Sequence, residues 1–124
     1  DTLLRESDVV SLHMPLNEGS YQIINRESLA KMKQGAFLIN TARGALIDEA
    51  ALIEAMDSGK VAGFASDVMV KEPFDTNHPL VGRDNVVLTP HIAWGPRATR
   101  ARLLDTVVSN LQAYLNGEEV NRIC

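Results

Sequence analysis

One stretch constrains the fold more than any other, an apolar run that ends in a polar turn: Ala36-Phe37-Leu38-Ile39-Asn40-Thr41-Ala42-Arg43-Gly44. The apolar run predicts a buried strand from Ala36 to Asn40. In open α/β sheets, such strands present side chains to ligands at the carboxyl edge of the sheet. The stretch therefore predicts an α/β protein with Arg43 at a functional edge.

Two later stretches repeat this layout. Val61 to Asp67 reads as a strand that leads toward Glu72, and the short strand Val86 to Leu88 leads to His91. An arginine, two carboxylates and a histidine thus each follow the end of a predicted strand. Ionisable side chains in these positions are typical of a ligand site at a sheet edge.

The remaining elements alternate with these strands. Residues 1–7 read as the tail of a helix, and residues 8–13 as a first short strand. Asn25 is a predicted N-cap of a helix that stops at Gly35, and Asp48 caps a predicted helix through Lys60. The last predicted helix begins near Pro96, ends at Gly117 and carries apolar residues on one face.

Strands that alternate with helices predict a mainly parallel sheet of about four strands with flanking helices. This is half of a usual doubly wound sheet. Half a sheet exposes an apolar strand edge and an apolar face, and such surfaces drive association. We therefore expect a homodimer or another oligomer, or pairing with further parts of the parent protein.

Length and composition argue against several classes of function. The 124 residues suffice for one domain with a real core, and the net charge of −4 argues against a nucleic-acid partner. No apolar run reaches the roughly 20 residues of a membrane span. The single cysteine, Cys124, excludes an internal disulfide framework and favours a reducing, cytoplasmic setting.

Arg43 and His91 are the strongest candidates for chemistry. A guanidinium binds a carboxylate through two parallel hydrogen bonds, which would orient a 2-oxo or 2-hydroxy acid; the alternative is an ordinary surface arginine. Histidine exchanges protons near neutral pH, and a carboxylate such as Glu72 beside it would fix its tautomer. The alternative for His91 is a hydrogen-bonded structural residue.

Asp67 could accept a hydrogen bond from a ligand amide or cap the next turn. The other two histidines lack such an arrangement: His13 ends the first strand, and His78 lies in a polar loop where we expect it to be solvated. The histidines and the cysteine show no metal-ligand spacing. The sequence also contains no Gly-x-Ser-x-Gly, no Gly-x-Gly-x-x-Gly and no P-loop.

Three motifs in order resemble the D-isomer-specific 2-hydroxyacid dehydrogenases: Asn40-Thr41-Ala42-Arg43-Gly44, Asp67-Val68 followed by Glu72-Pro73, and Pro90-His91-Ile92. The resemblance extends over essentially the whole chain. Within that family, His91-Ile92-Ala93-Trp94 is most similar to glycerate dehydrogenases and hydroxypyruvate reductases. The resemblance implies a Rossmann-like fold and NAD or NADP as the cofactor.

The resemblance also implies roles for individual residues. Arg43 would bind the carboxylate of a small 2-oxo acid, His91 would be the general acid/base, and Glu72 would hold His91 in the required protonation state. Asp67 would contact the nicotinamide carboxamide. The resemblance also implies that Arg43 and His91 contact the cofactor, together with Met14, Thr41, Ala42 and Trp94.

The sequence departs from the family pattern in two respects. Ser66, Met69 and Val70 replace more usual residues around Asp67, and Gly95-Pro96 is atypical after Trp94. The glycine-rich fingerprint of the family is absent. The resemblance thus implies that residues 1–116 are the C-terminal portion of an NAD(P)-binding domain, with 117–124 a tail toward a substrate domain. We expect this isolated piece to be inactive.

Two other functions stay open at the level of sequence. Transcriptional corepressors related to this family keep the fold and bind dinucleotide without catalysis, so a non-enzymatic NAD-sensing module is an alternative. Formate dehydrogenases share the scaffold but carry glutamine where this chain has Glu72, and that residue disfavours them.

Overall fold

The structure, a computed structural model, describes residues 1–123. These residues form two compact units, Asp1–His91 and the residues from Ile92 onward. None of the helices in the described part of the chain has the length and apolar character that a membrane span requires. Cys124 lies outside the described residues, so the predictions made for it are neither confirmed nor corrected.

The first unit is built on a four-stranded sheet. Its strands are β1 (Val9–Leu12), β2 (Ala36–Asn40), β3 (Val61–Ser66) and β4 (Val86–Leu88). They lie side by side in the order β1-β2-β3-β4, and each neighbouring pair is parallel. The predicted parallel α/β sheet is confirmed. All four strands therefore bring their carboxyl ends to one edge of the sheet.

Helices connect the strands. They are α1 (Thr2–Glu6), α2 (Arg26–Lys31) and α3 (Glu49–Asp57), with a 3-10 turn at Gly44–Leu46. The predicted caps are confirmed, because the Asn25 side chain accepts from two backbone amides of α2 and the Asp48 side chain accepts from Ala51 N–H.

The predicted C-terminal ends of α2 and α3 lie beyond the observed ends. α2 stops at Lys31, well before Gly35, because the backbone of Met32 is extended and its side chain is buried in the core. α3 stops at Asp57, and Gly59 follows in the left-handed region with φ of 72°. Glycine adopts this conformation without strain, which ends the helix before Lys60.

The core lies on one face of the sheet. Strand residues alternate between buried and exposed, and the buried ones pack with the inward sides of α2 and α3. Members of this core include Val10, Leu12, Leu29, Leu38, Leu52, Met56 and Val61. The opposite face exposes Val9, Phe37 and Val87. The unit thus has one packed face and one apolar face open to solvent.

The second unit contains a single long helix, α4 (Arg97–Leu115), which begins directly after Pro96 as predicted. Its Ala113 is buried, whereas most of its large apolar residues are exposed. The exposed ones are Leu103, Leu104, Val107, Val108, Leu111, Tyr114 and Leu115. The apolar face predicted for this helix is therefore present but uncovered.

Candidate active site

The end of β2 is shaped by a buried amide side chain. Asn40 is 1% exposed; its Oδ1 accepts from Ala42 N–H at 3.0 Å and its Nδ2 donates to the Arg43 carbonyl at 2.9 Å. The Arg43 side chain is exposed, and its guanidinium donates to the Ala42 carbonyl at 2.7 Å. Asn40 thus fixes the backbone that presents Arg43 at the edge of the sheet.

The turns after β2 and β3 touch through their backbones. A Cβ atom at Gly44 would lie 2.0 Å from the carbonyl carbon of Met69, so only glycine allows this approach. The buried Ser66 hydroxyl lies 3.1 Å from the Asn40 carbonyl oxygen and 2.6 Å from that of Val68. The position of the Arg43 turn is therefore tied to the segment that follows β3.

Asp67 joins the ends of β3 and β4. Its side chain is buried and accepts a hydrogen bond at Oδ1 from the Thr89 hydroxyl, while its backbone carbonyl accepts from His91 N–H at 2.8 Å. A carboxylate can accept several hydrogen bonds, so the Thr89 contact is compatible with a ligand amide at the same group.

His91 and Glu72 form the predicted pair. His91 Nδ1 lies 2.7 Å from Glu72 Oε2, and Glu72 Oε1 accepts from Met69 N–H at 3.0 Å. The hydrogen bond with His91, and after it the one from Met69, holds the pKa of the Glu72 carboxyl below its usual value. The predicted contact is confirmed, and it leaves the carboxylate charged at neutral pH with one oxygen on the imidazole.

These residues line a cavity of about 540 Å³. Its polar groups come from Asp67, Glu72, Thr76, Thr89 and His91, and its apolar wall includes Met69, Pro73, Phe74 and Pro90. Arg43 is not part of this lining; it follows the neighbouring strand β2. The arrangement can hold a flat, partly apolar ligand against an acid/base pair.

The other predicted contact residues are distributed as follows. Met14 follows β1 and is half-buried against the core, Thr41 is exposed, and Ala42 is half-buried. Trp94 belongs to the second unit and is largely exposed. Within residues 1–123, no three side chains of the His, Cys, Asp and Glu types group as metal ligands.

One prediction about the histidines is wrong. His78 was expected to be solvated, yet only 21% of its side chain is exposed, and its Nε2 lies 3.3 Å from Glu49 Oε2. The polar loop folds back onto the first turn of α3, because Leu80, two residues on, is fully buried in the core. β1 ends at Leu12, one residue earlier than predicted, so His13 follows the strand directly, and its Nε2 lies 2.8 Å from Ser11 Oγ.

Sequence reasoning missed the supporting residues Asn40, Thr89 and Ser66. Ser66 was noted only as a departure from a family pattern. The signal for Asn40 was available: an amide at the last position of an apolar strand has to satisfy its hydrogen bonds locally. No comparable signal marks Thr89, whose partner lies on a different strand.

Comparisons with known proteins agree with this geometry. Residues 1–93 match the family described as D-isomer specific 2-hydroxyacid dehydrogenase, NAD binding domain. Because this match spans most of the chain, the chain belongs to that family, and the resemblance drawn from its motifs is confirmed.

Named relatives and a solved structure are consistent with this assignment. The chain is 46% identical over 121 residues to a hydroxypyruvate reductase of Blautia hydrogenotrophica, covering 98% of this chain and 38% of the relative. It is 51% identical over 118 residues to a glyoxylate reductase of Thermofilum pendens, covering 95% and 35%. A D-isomer specific 2-hydroxyacid dehydrogenase from Xanthobacter autotrophicus Py2, crystallised with NADPH and MES, superposes with a TM-score of 0.83 at 38% identity, covering 97% and 49%.

The chain therefore spans less than half the length of these relatives. The two curated relatives are reductases, which supports the enzymatic interpretation over the corepressor alternative.

Proposed function

We propose that the intact protein is an NAD(P)-dependent oxidoreductase that interconverts a small 2-oxo acid and the corresponding D-2-hydroxy acid. The observation that carries this proposal is the His91–Glu72 pair, at the same sheet edge as the Arg43 turn. An acid/base histidine and a carboxylate-binding arginine are the two groups that this reaction requires of the protein.

The proposed division of labour follows from the contacts. Arg43 binds the substrate carboxylate, which orients the neighbouring carbonyl. His91 donates a proton to the carbonyl oxygen from Nε2, because Nδ1 faces Glu72. Glu72 stabilises the protonated imidazole, and in the oxidative direction His91 takes the proton back. A bound reduced nicotinamide supplies the hydride that completes the reduction.

The cavity fits a nicotinamide ring. Its wall is mostly apolar and includes the buried Asp67, whose carboxylate is the group that we assign to the nicotinamide carboxamide. We assign further cofactor contacts to Met14, Thr41, Ala42, Arg43, His91 and Trp94. Both NAD and NADP fit this assignment; a family relative carries NADPH.

Further features of the proposal have indirect support. Hydroxypyruvate or glyoxylate as the substrate is suggested by the names of the two curated relatives. A homodimer, or association with further parts of the protein, is suggested by the exposed apolar face of the sheet. The division into 1–116 and a tail at 117–124, and a cytoplasmic location, remain predictions.

The test is an assay of the intact protein with hydroxypyruvate and with glyoxylate, each with NADH and with NADPH, followed by the loss of reduced cofactor. We expect turnover of at least one substrate with at least one cofactor. Binding of the cofactor without turnover of either acid would instead support a sensing module.

A further inference from the structure

A second histidine–carboxylate pair lies outside the cavity described above. Glu49 is the first residue of α3, and His78 belongs to the loop between β3 and β4. Their side chains are 25% and 21% exposed, with 3.3 Å between Glu49 Oε2 and His78 Nε2. Nothing in the proposed reaction uses either residue.

The protonation of His78 can be assigned from its other nitrogen. Leu80 N–H donates to His78 Nδ1 at 3.3 Å, so Nδ1 accepts and carries no proton. The neutral ring therefore carries its proton on Nε2, the nitrogen that lies 3.3 Å from Glu49 Oε2. This leaves the second oxygen of Glu49 to bind a different partner.

That partner is the backbone of the segment that carries Glu72. Glu49 Oε1 accepts from Val70 N–H at 3.3 Å, and Glu72 Oε1 accepts from Met69 N–H at 3.0 Å. Two consecutive backbone amides are thus each bound by a carboxylate whose other oxygen contacts a histidine. The same Met69–Val70 peptide is the one that packs against Gly44, beside Arg43.

We propose that Glu49 and His78 are positioning residues: together they fix the Met69–Val70 peptide, and through it the placement of Glu72 against His91 and of the Arg43 turn. This inference rests on the proposed function, since it concerns the same reaction. A small displacement of catalytic groups by a distant substitution lowers turnover by up to about 10²-fold.

The variants that test this are Glu49→Ala, which removes both contacts, and His78→Ala, which removes the histidine but leaves the α3 terminus intact. His78→Gln restores an N–H donor toward Glu49. Glu54→Ala is the matched control, because Glu54 lies on the same helix but pairs with Arg26 at the surface. Each is made in the intact protein.

We expect Glu49→Ala to lower kcat about tenfold with little change in KM. His78→Ala should lower kcat less, and His78→Gln should recover part of the loss. Glu54→Ala should match the wild type. NMR of the imidazole resonances gives a readout that does not depend on turnover: the His91 ring resonances should shift in Glu49→Ala, because Glu72 is less well aligned with the ring.

The proposal is overturned if folded Glu49→Ala keeps the wild-type kcat and the wild-type His91 ring resonances, or if Glu54→Ala shows the same loss. If Glu49→Ala does not fold, His78→Ala decides by the same two readouts. A wild type without turnover would refute the proposed function alone, because the His91 ring resonances still test the positioning role.

Discussion

The two histidine–carboxylate pairs share their chemistry but differ in where the ring lies and in which ring nitrogen faces the carboxylate. His91 contacts Glu72 through Nδ1 and lines the cavity, whereas His78 contacts Glu49 through Nε2 and receives a backbone N–H at Nδ1. Protonation of His78 would break that backbone contact. The location of the ring, not the carboxylate, thus separates a ring that can exchange protons with a ligand in the cavity from a ring held between Glu49 and the backbone of Leu80.

The largest expected effect is on kcat, and it distinguishes the two histidine–carboxylate pairs directly. His91→Ala in the intact protein should lower kcat for reduction by about 10² to 10⁴-fold, the usual contribution of general acid–base catalysis, and should lower cofactor affinity far less. His78→Ala should lower kcat by no more than about tenfold. Steady-state kinetics of both variants provide the comparison. Equal losses of kcat in the two variants would show that the two histidine–carboxylate pairs do not differ in function.

Arg43 gives a further comparison with the two histidines, because its proposed role is to bind the substrate carboxylate and not to transfer a proton. Arg43→Lys keeps the charge but loses the planar fork that binds a carboxylate through two hydrogen bonds. Since a hydrogen bond to a charged group contributes about 1.5–3 kcal/mol, we expect kcat/KM to fall by about 10- to 100-fold. The pH profile should keep its shape. A changed profile with unchanged kcat/KM would place Arg43 in the proton-transfer machinery instead.

The smallest expected effect is on the free energy of unfolding. The pKa of Glu72 is lowered in the folded protein, so its pairing with His91 stabilises the fold above the usual carboxyl pKa of about 4.3 and is lost as pH falls through the lowered value. Because the pair is partly exposed, the effect should be at most about 1 kcal/mol.

Urea unfolding of wild type and Glu72→Gln measures that effect. The two proteins should differ in free energy of unfolding at about pH 7, and the difference should shrink as pH falls through the lowered pKa of Glu72. A difference that grows toward acid pH would mean that the pKa shift has the opposite sign.

Local patterns allowed much of the framework to be predicted. β2 and β4 have their predicted bounds, and the Asn25 and Asp48 caps are present, because each depends on residues close in sequence. The His91–Glu72 contact was also predictable, since parallel strands bring their ends together and a family resemblance named both residues.

The supporting contacts could not be predicted in the same way. Glu49 binds Val70 N–H across 21 positions of sequence, and no periodicity or spacing encodes that contact. His78 was misjudged because a polar loop sequence suggests solvation, whereas the burial of Leu80 pulls the loop onto the core. Such contacts depend on how separate elements pack, which local sequence does not determine.

The pH dependence of kcat/KM for reduction, measured in wild type and Glu72→Gln, tests the central claim most directly. His91 must be protonated to donate, so activity should fall as pH rises. Glutamine cannot stabilise the imidazolium as a carboxylate does, so in Glu72→Gln this fall should begin at lower pH. Profiles of the same shape and midpoint in the two proteins would show that Glu72 does not hold the proton on His91.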